Sequence, residues 1–336
     1  MSDVGAHGRT GRARPRAATV FASRWASQIG ITVAFLLLWL TFVVLAPDTF
    51  LGHRIYLAFA QTTPYFAIMA MALTLVIVAG DIDLSFGSVM ALGMVGFVWV
   101  WQDTGSVLLG VAAALLFGGA AGLFNGVMVT MIGIPSLVVT LGTQFLFRGL
   151  VLVLMAGRSL ALVEAKGDPT YDVLVGKPIL GIPMEFWWLV VIAICAWVLL
   201  NRHRLGQNTY VVGDNQQAAK LMGIPIRRTR IILFVLVGLA AAFAGVLNSL
   251  QVVNFYPTMG TGYLLPTLAA VFVGGTSVFG GRGSVWGTFI GAFMIGGITA
   301  GIVAVGLTDF YTQLIYGAVI LASVSIHALL RRRFER

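Results

Sequence analysis

The chain has 336 residues, 59% hydrophobic and only 10% charged, where a soluble domain carries about 25% charged residues. That balance excludes a water-soluble globular protein and makes lipid the solvent. The net charge of +9 would suggest nucleic acid in a soluble protein, but here the basic residues flank apolar runs, so membrane topology accounts for them and nucleic-acid binding is not expected.

Taken in chain order, residues 1–24 form a basic tail with Arg9, Arg12, Arg14, Arg16 and Arg24. The apolar run Ile29–Leu45 follows. A secretory leader has the same outline. The run is long for a leader, and Pro47 follows Ala46 where cleavage would fall. The reading is an uncleaved first helix behind a cytoplasmic tail. A spanning helix needs about 20 mostly apolar residues. Ten stretches qualify: 28–46, 57–79, 86–101, 107–131, 136–156, 186–200, 230–250, 262–279, 285–305 and 309–329. The third and sixth are the weakest as full spans. The expected fold is an all-α integral membrane protein with about ten transmembrane helices. Residues 25–330 form a single transmembrane domain, and 331–336 form a second basic tail. Gly, at 41 residues, suits close helix approach in lipid. Cys195 is the only cysteine and sits in the apolar run Val190–Leu200, so it reads as a small buried hydrophobe.

Charge supports this count. With both termini inside, the inner side carries the five tail arginines and Arg202, Arg204, Lys220, Arg227, Arg228 and Arg230 of loop 201–229. Arg282, Arg331, Arg332, Arg333 and Arg336 join them. Outside lie only Arg54, Arg158, Lys166 and Lys177, with Arg148 near the outer end of its span. Basic residues belong inside. One missed helix would invert everything beyond it and remove the asymmetry. The outer loop 157–185, with Pro169, Pro178, Pro183 and several glycines, reads as an ordered cap or a short re-entrant piece.

Two stretches stand out chemically. In Gly80-Asp-Ile-Asp-Leu-Ser-Phe-Gly87, two carboxylates interrupt an apolar stretch. Intramembrane charge is costly and flags function. Gly80 can break a helix, and Asp83 or Ser85 can cap the next one. A broken helix is a recurring transporter device; an ordinary capped turn is the bland alternative. Asp81 and Asp83 are two apart, so one helix face would not present both. The second stretch is Tyr210–Pro225 in the inner loop. It holds a short helix begun by Asp214 or Asn215 and ended by Gly223 and Pro225. Its small residues Ala218 and Ala219 would permit close docking of another protein; an interfacial surface helix is the alternative. Asn125, Thr143, Gln144, Asn248 and Gln251 fall inside predicted spans. They are candidate pathway residues, because amides and hydroxyls both suit hydroxyl-rich solutes. For any single one, bonding between helices is the commoner role. Arg148 is expected to snorkel or to pair with an outer carboxylate.

These stretches carry a family resemblance. Gly-Asp-Ile-Asp-Leu-Ser-Phe-Gly-Ser at 80–88 resembles the Gly-Ile-Asp-Leu-Ser-x-Gly-Ser signature of ribose, xylose and related sugar permeases of bacterial ABC importers. Asn215-x-x-Ala218-Ala219-x-x-x-Gly223-Ile224 is similar to that family's ATPase-engaging loop. Asn125-Gly126, Ile134-Pro135, Thr140-Leu-Gly142 and Arg148-Gly149 follow in the family's order, as do Gly274–Ser284 and Gly287-Thr288. The resemblance runs from about residue 55 to 330. It departs at Asp81, where Gly is usual, and at Leu264 and Pro266, where many members carry acidic residues. It implies a permease of the bacterial inner membrane, working as a homodimer or beside a sister permease. It also implies two ATPase subunits and a periplasmic or extracellular sugar-binding protein. The coupling segment would then be Asp214, Asn215, Ala218, Ala219, Gly223, Ile224 and Pro225. No cofactor is expected on the chain, with ATP and Mg used by the partner ATPases. The sequence agrees, since it has no Gly-x-x-x-x-Gly-Lys-Ser/Thr loop. Gly280-Gly-Arg-Gly-Ser284 lacks the lysine and reads as a tight inner turn.

Three rivals are open. The same scaffold could carry branched-chain amino acids or nucleosides. An ion-coupled secondary transporter would often show an inverted repeat, and none is evident. An intramembrane hydrolase would need facing catalytic groups. His7, His53, His203 and His327 lie in tails, loops or a span end, and Asp309 is expected at the opposite end from Asp81 and Asp83.

Overall fold

The computed structural model describes residues 17–304 and 310–334. Most of the basic tail 1–24, the end of tail 331–336 and Asp309 lie outside the described residues. The helices are α1 (Ala17–Leu45), α2 (Pro47–Phe50), α3 (His53–Val78), α4 (Phe86–Thr104), α5 (Val107–Val127) and α6 (Ser136–Leu154). They continue as α7 (Pro169–Tyr171), α8 (Met184–Arg202), α9 (Arg204–Asp214), α10 (Gln216–Leu221) and α11 (Ile226–Gln251). The last are α12 (Leu264–Val273), α13 (Val285–Ala304) and α14 (Phe310–Phe334). Two short strands, β1 (Leu160–Ala161) and β2 (Asn254–Phe255), pair antiparallel, Leu160 opposite Phe255.

Every predicted stretch coincides with a helix. Six helices are long and apolar enough to cross a membrane, starting at His53, Val107, Ser136, Met184, Ile226 and Val285. The stretch 186–200, expected to be weak, is one of them. The stretches 28–46, 86–101 and 309–329 are not among the six, nor is 262–279, which holds the shortest helix of the four. Its α-helix has 10 residues. It is preceded by a single 3-10 turn, Thr261–Tyr263, and followed by a glycine turn with positive φ at Gly275, Gly280 and Gly281. Hydropathy reads the turn as membrane, but the glycines end the helix.

Helix α3 from Thr63 and helix α4 to Val98 are buried almost throughout, and α11 packs against both. Around them α5, α6 and α8 turn large apolar side chains outward, among them Leu108, Leu116, Phe145, Val153 and Ile194. Such continuous apolar exposure is a lipid-facing surface rather than a water-facing one. Cys195 lies on this exposed face, not in the core as expected; an apolar run cannot distinguish lipid-facing from core-facing positions.

Glycine fixes the central packing. On α5, Gly118, Gly122 and Gly126 recur every four residues and meet α11. A Cβ at Gly118 would lie 2.4 Å from the Gly238 carbonyl oxygen, and one at Gly122 2.3 Å from that of Phe234. Small residues at this spacing let two backbones touch, which is how helices associate where lipid removes the hydrophobic drive.

Loop 157–185 is ordered. The Asp168 carboxylate accepts from Thr170 N at 2.7 Å and from Val107 N, at the start of α5, at 2.8 Å. Partial desolvation works against this carboxylate. The amide hydrogen bonds outweigh it and hold the pKa below the usual aspartate range. Its stabilising contribution is therefore complete above the ordinary aspartate pKa of about 4 and is lost as pH falls through its own lower value. At neutral pH, Asp168→Asn should make tryptic cleavage at Lys166 and Lys177 about fivefold faster, as expected for one lost hydrogen bond of about 1 kcal/mol. Unchanged digestion rates would show that the loop is held elsewhere.

Candidate functional site

The break after α3 follows from Gly80, whose φ of +85° suits glycine. Residues 81–84 then have no regular structure until α4 begins. The Asp83 carboxylate accepts from Ser85 N and from Ser85 Oγ, both at 2.7 Å. Ser85 Oγ in turn accepts from Asn125 Nδ2 of α5 at 2.8 Å. Ser85 stands at the N-cap of α4, where no side chain makes a cap bond; Asp83 instead closes a turn onto Ser85, and Ser85 joins it to α5. Ile82 is held on both sides by α6: its N–H donates to Ser136 Oγ at 3.1 Å, and its carbonyl accepts from Thr140 Oγ1 at 3.3 Å.

Asp81 has a different partner. Its carboxylate is gripped in bidentate fashion by the guanidinium of Arg230, near the start of α11. Asp81 is 3% exposed and the Arg230 side chain 19%. The two aspartates therefore serve separate bonds, as their spacing required. Arg230 had been read only as one of several inner-loop charges. The signal for it was present: a buried carboxylate needs a counter-ion, and Arg230 is the first residue of a predicted span.

The inner loop is fastened to the same break. Helix α9 ends beside Gly80 and the glycine turn after α12. Gly281 N donates to the Val78 carbonyl at 2.9 Å, and Gly213 lies directly over this bond. A Cβ at Gly213 would fall 1.8 Å from Val78 O and 2.7 Å from Gly281 N. Tyr210 Oη donates to the Gly283 carbonyl at 3.0 Å. Three backbone segments, 78–80, 213–214 and 280–283, thus interlock without side chains between them.

Beyond Gly213 the chain forms α10. Asn215, not Asp214, is its cap and accepts from Ala218 N at 3.0 Å. Gly223 closes it with φ +72°, and Ile224 and Pro225 lead into α11. Ala219 is fully buried against its own chain, so it does not present a small-residue face to another protein. The six-residue helix has one inward side, and Ala219 occupies it. The exposed side presents Leu221, 90% exposed, and Met222. Composition alone did not reveal that this turn holds an apolar side chain outward.

The predicted pathway residues do not form one group. Asn125 belongs to the Asp83–Ser85 network. Thr143 Oγ1 donates to Thr140 O within α6. Gln144 meets Ser88 Oγ through its backbone carbonyl. Asn248 Nδ2 donates to Tyr263 Oη at 3.1 Å, and Gln251 ends α11. Gly87 lies against Gly260, whose carbonyl oxygen would be 2.6 Å from a Cβ there. Arg148 donates to the carbonyls of Gly87, at 3.0 Å, and Pro257. It neither snorkels nor pairs with a carboxylate: it ties the first turn of α4 to the irregular backbone at Pro257. Among the described residues no group of His, Cys, Asp and Glu could hold a metal ion.

Residues 55–324 match the family described as the permease component of the branched-chain amino acid transport system. The chain is 34% identical over 308 residues to the ribose import permease protein of Escherichia coli strain K12, covering 91% of this chain and 95% of that protein. It is 31% identical over 267 residues to the autoinducer 2 import system permease protein of Yersinia enterocolitica, covering 77% and 81%. It is 32% identical over 268 residues to the protein of that name in Salmonella typhi, covering 77% and 80%.

Proposed function

The chain belongs to the family of branched-chain amino acid transport system permease components, and from that membership we propose that it forms the translocation path for a monosaccharide or sugar alcohol in a binding-protein-dependent ABC importer. It is a multi-pass membrane protein and a transport subunit, not an enzyme. The similarity to the ribose import permease, which extends over nearly the whole of both chains, carries the sugar reading. The family description itself names amino acids, which keeps that cargo as the second reading.

In this reading ten helices span the bacterial inner membrane with both termini inside. Loop 201–229 then faces the cytoplasm and cap 157–185 faces the binding protein. Two permeases, identical or sister chains, dock on two ATPase subunits, which use ATP and Mg. Helix α10 is the coupling element, and Leu221 and Met222 are its contact. ATP-driven closure pushes α10, and the Gly213 junction passes the push to the break at 80–87. The permease does no bond chemistry.

Leu221→Asp tests the docking step. Leu221 makes little contact with its own chain, so folding should be untouched. Recovery of the ATPase by affinity copurification should fall by about tenfold or more, as for loss of a central apolar anchor. Normal recovery with Leu221→Asp would remove α10 as the coupling element. A panel of labelled pentoses, hexoses, polyols and branched-chain amino acids tests cargo in liposomes carrying permease, ATPase and binding protein. Sugar or polyol uptake is expected; amino-acid uptake alone would keep the scaffold and refute the sugar assignment.

A further inference from the structure

Near the end of the bundle that carries cap 157–185, four polar side chains from four segments converge. Tyr65 comes from α3, Glu185 from the first turn of α8, Asn248 from the last turn of α11, and Tyr263 from the turn before α12. The Tyr65 and Tyr263 rings are 6.5 Å apart, inclined at 51°. Asn248 Nδ2 donates to Tyr263 Oη at 3.1 Å. The Glu185 carboxylate lies close to the Tyr65 hydroxyl.

Unpartnered buried polar atoms occur elsewhere in the fold, Asn125 Oδ1 among them, but here three lie together. Glu185 is 1% exposed, Tyr65 4% and Asn248 5%. Yet Glu185 Oε1 and Asn248 Oδ1 lack a hydrogen-bond partner, and the Tyr65 hydroxyl, whose neighbour is the Glu185 carboxylate, makes no bond of good geometry. Buried polar groups are nearly always bonded, and each one left unsatisfied is costly. The start of α8 offers a favourable dipole to the Glu185 charge. It explains neither the free Oε1 nor the unpartnered atoms on two other helices. A protein that bore this cost for structure alone would gain nothing from it.

The chemistry names a ligand class. Glu185 Oε1 and Asn248 Oδ1 only accept, and the Tyr65 hydroxyl does both. Two acceptors beside a donor-acceptor suit vicinal hydroxyl groups. The two tyrosine rings supply the apolar faces against which a sugar ring packs. The need for donors from the ligand argues against an anionic solute, which would face Glu185 unfavourably. We propose that Tyr65, Glu185, Asn248 and Tyr263 form an occluded solute subsite for a neutral polyhydroxylated ring, with Glu185 accepting from its hydroxyls. This rests on the sugar-importer reading above.

Helix α12 belongs to the same device. Tyr263 immediately precedes it, and at its far end Gly274 packs on Gly287 and Thr288 of α13 beside the glycine junction. The short helix thus links the subsite to the segment that α9 engages, so a shift of the junction would move Tyr263 relative to Tyr65.

Glu185→Gln and Tyr65→Phe, both nearly isosteric, test the subsite in the full importer. Uptake is measured beside ATP hydrolysis for the preferred sugar and for its monodeoxy analogues. We expect each variant to cut uptake about tenfold, the loss typical of a hydrogen bond to a charged group. Binding-protein-stimulated ATP hydrolysis should persist. The wild type should discriminate against at least one deoxy analogue, and Glu185→Gln should bring that ratio near one, which a purely structural role would not do. Unchanged uptake and unchanged discrimination in both variants would overturn the subsite. An equal loss of uptake and ATP hydrolysis, with discrimination retained, would also overturn it and leave the cluster structural. If the wild type itself moves no sugar, the failure lies with the cargo reading and not with the subsite.

Discussion

Arg230→Ala should destabilise the protein by about 3 kcal/mol, because it strands the Asp81 carboxylate in the core without its partner. The pair is bidentate and Asp81 is 3% exposed. Removing both charges should cost far less than removing one, since the desolvation of the ion pair disappears with it. The double variant Asp81→Gly with Arg230→Met is the informative partner, because Gly is the residue that resembling permeases carry at position 81. The readout is the monodisperse fraction left after a heat step in detergent. Arg230→Ala should lose most of it at a temperature the double variant survives. A single variant as stable as wild type would show that the pair is solvated in the membrane and holds nothing.

Gly213→Ala should be the most damaging single methyl in the inner loop. Its Cβ would sit 1.8 Å from Val78 O, inside the hydrogen bond between Gly281 N and Val78 O. Backbone must move to admit it, and such overpacking costs about 1–3 kcal/mol. The functional loss should be larger still. Separating α9 from the break at 80–87 uncouples ATP hydrolysis from transport, so uptake should fall at least tenfold while ATPase copurification persists. Gly223→Ala is the control. It bears left-handed φ but meets nothing within 4 Å, so it should cost only about 1–2 kcal/mol of local strain. Equal behaviour of the two variants would mean that the junction transmits no motion.

The local devices were legible in the sequence because their chemistry is local. Asp83 bonds Ser85 two positions on, just before α4, and Asn215 and Gly223 bound α10 within nine residues. Apolar run length put a helix in each of the ten predicted stretches for the same reason, but gave no sign of α2, α7 or α9. Partnership across the fold was not legible. Arg230 reaches Asp81 over 149 positions, and a basic loop offers several arginines of equal claim. Ala219 and Leu221 differ by two residues and face opposite ways, which only the docking of α10 decides. The length of α12 was overread because glycine is apolar enough to extend a hydropathy run while ending a helix. Glu185 was passed over as a loop charge, since it stands one residue before the predicted span and only burial reveals that its carboxylate points inward.

The energy source tests the account most directly. The permease, its ATPase and its binding protein would be reconstituted in sealed liposomes, with ATP trapped on the ATPase side and labelled sugar outside. The account predicts uptake that needs both ATP and the binding protein and is indifferent to proton or sodium gradients. Uptake driven by an ion gradient through the permease alone would contradict it and make the chain a secondary transporter.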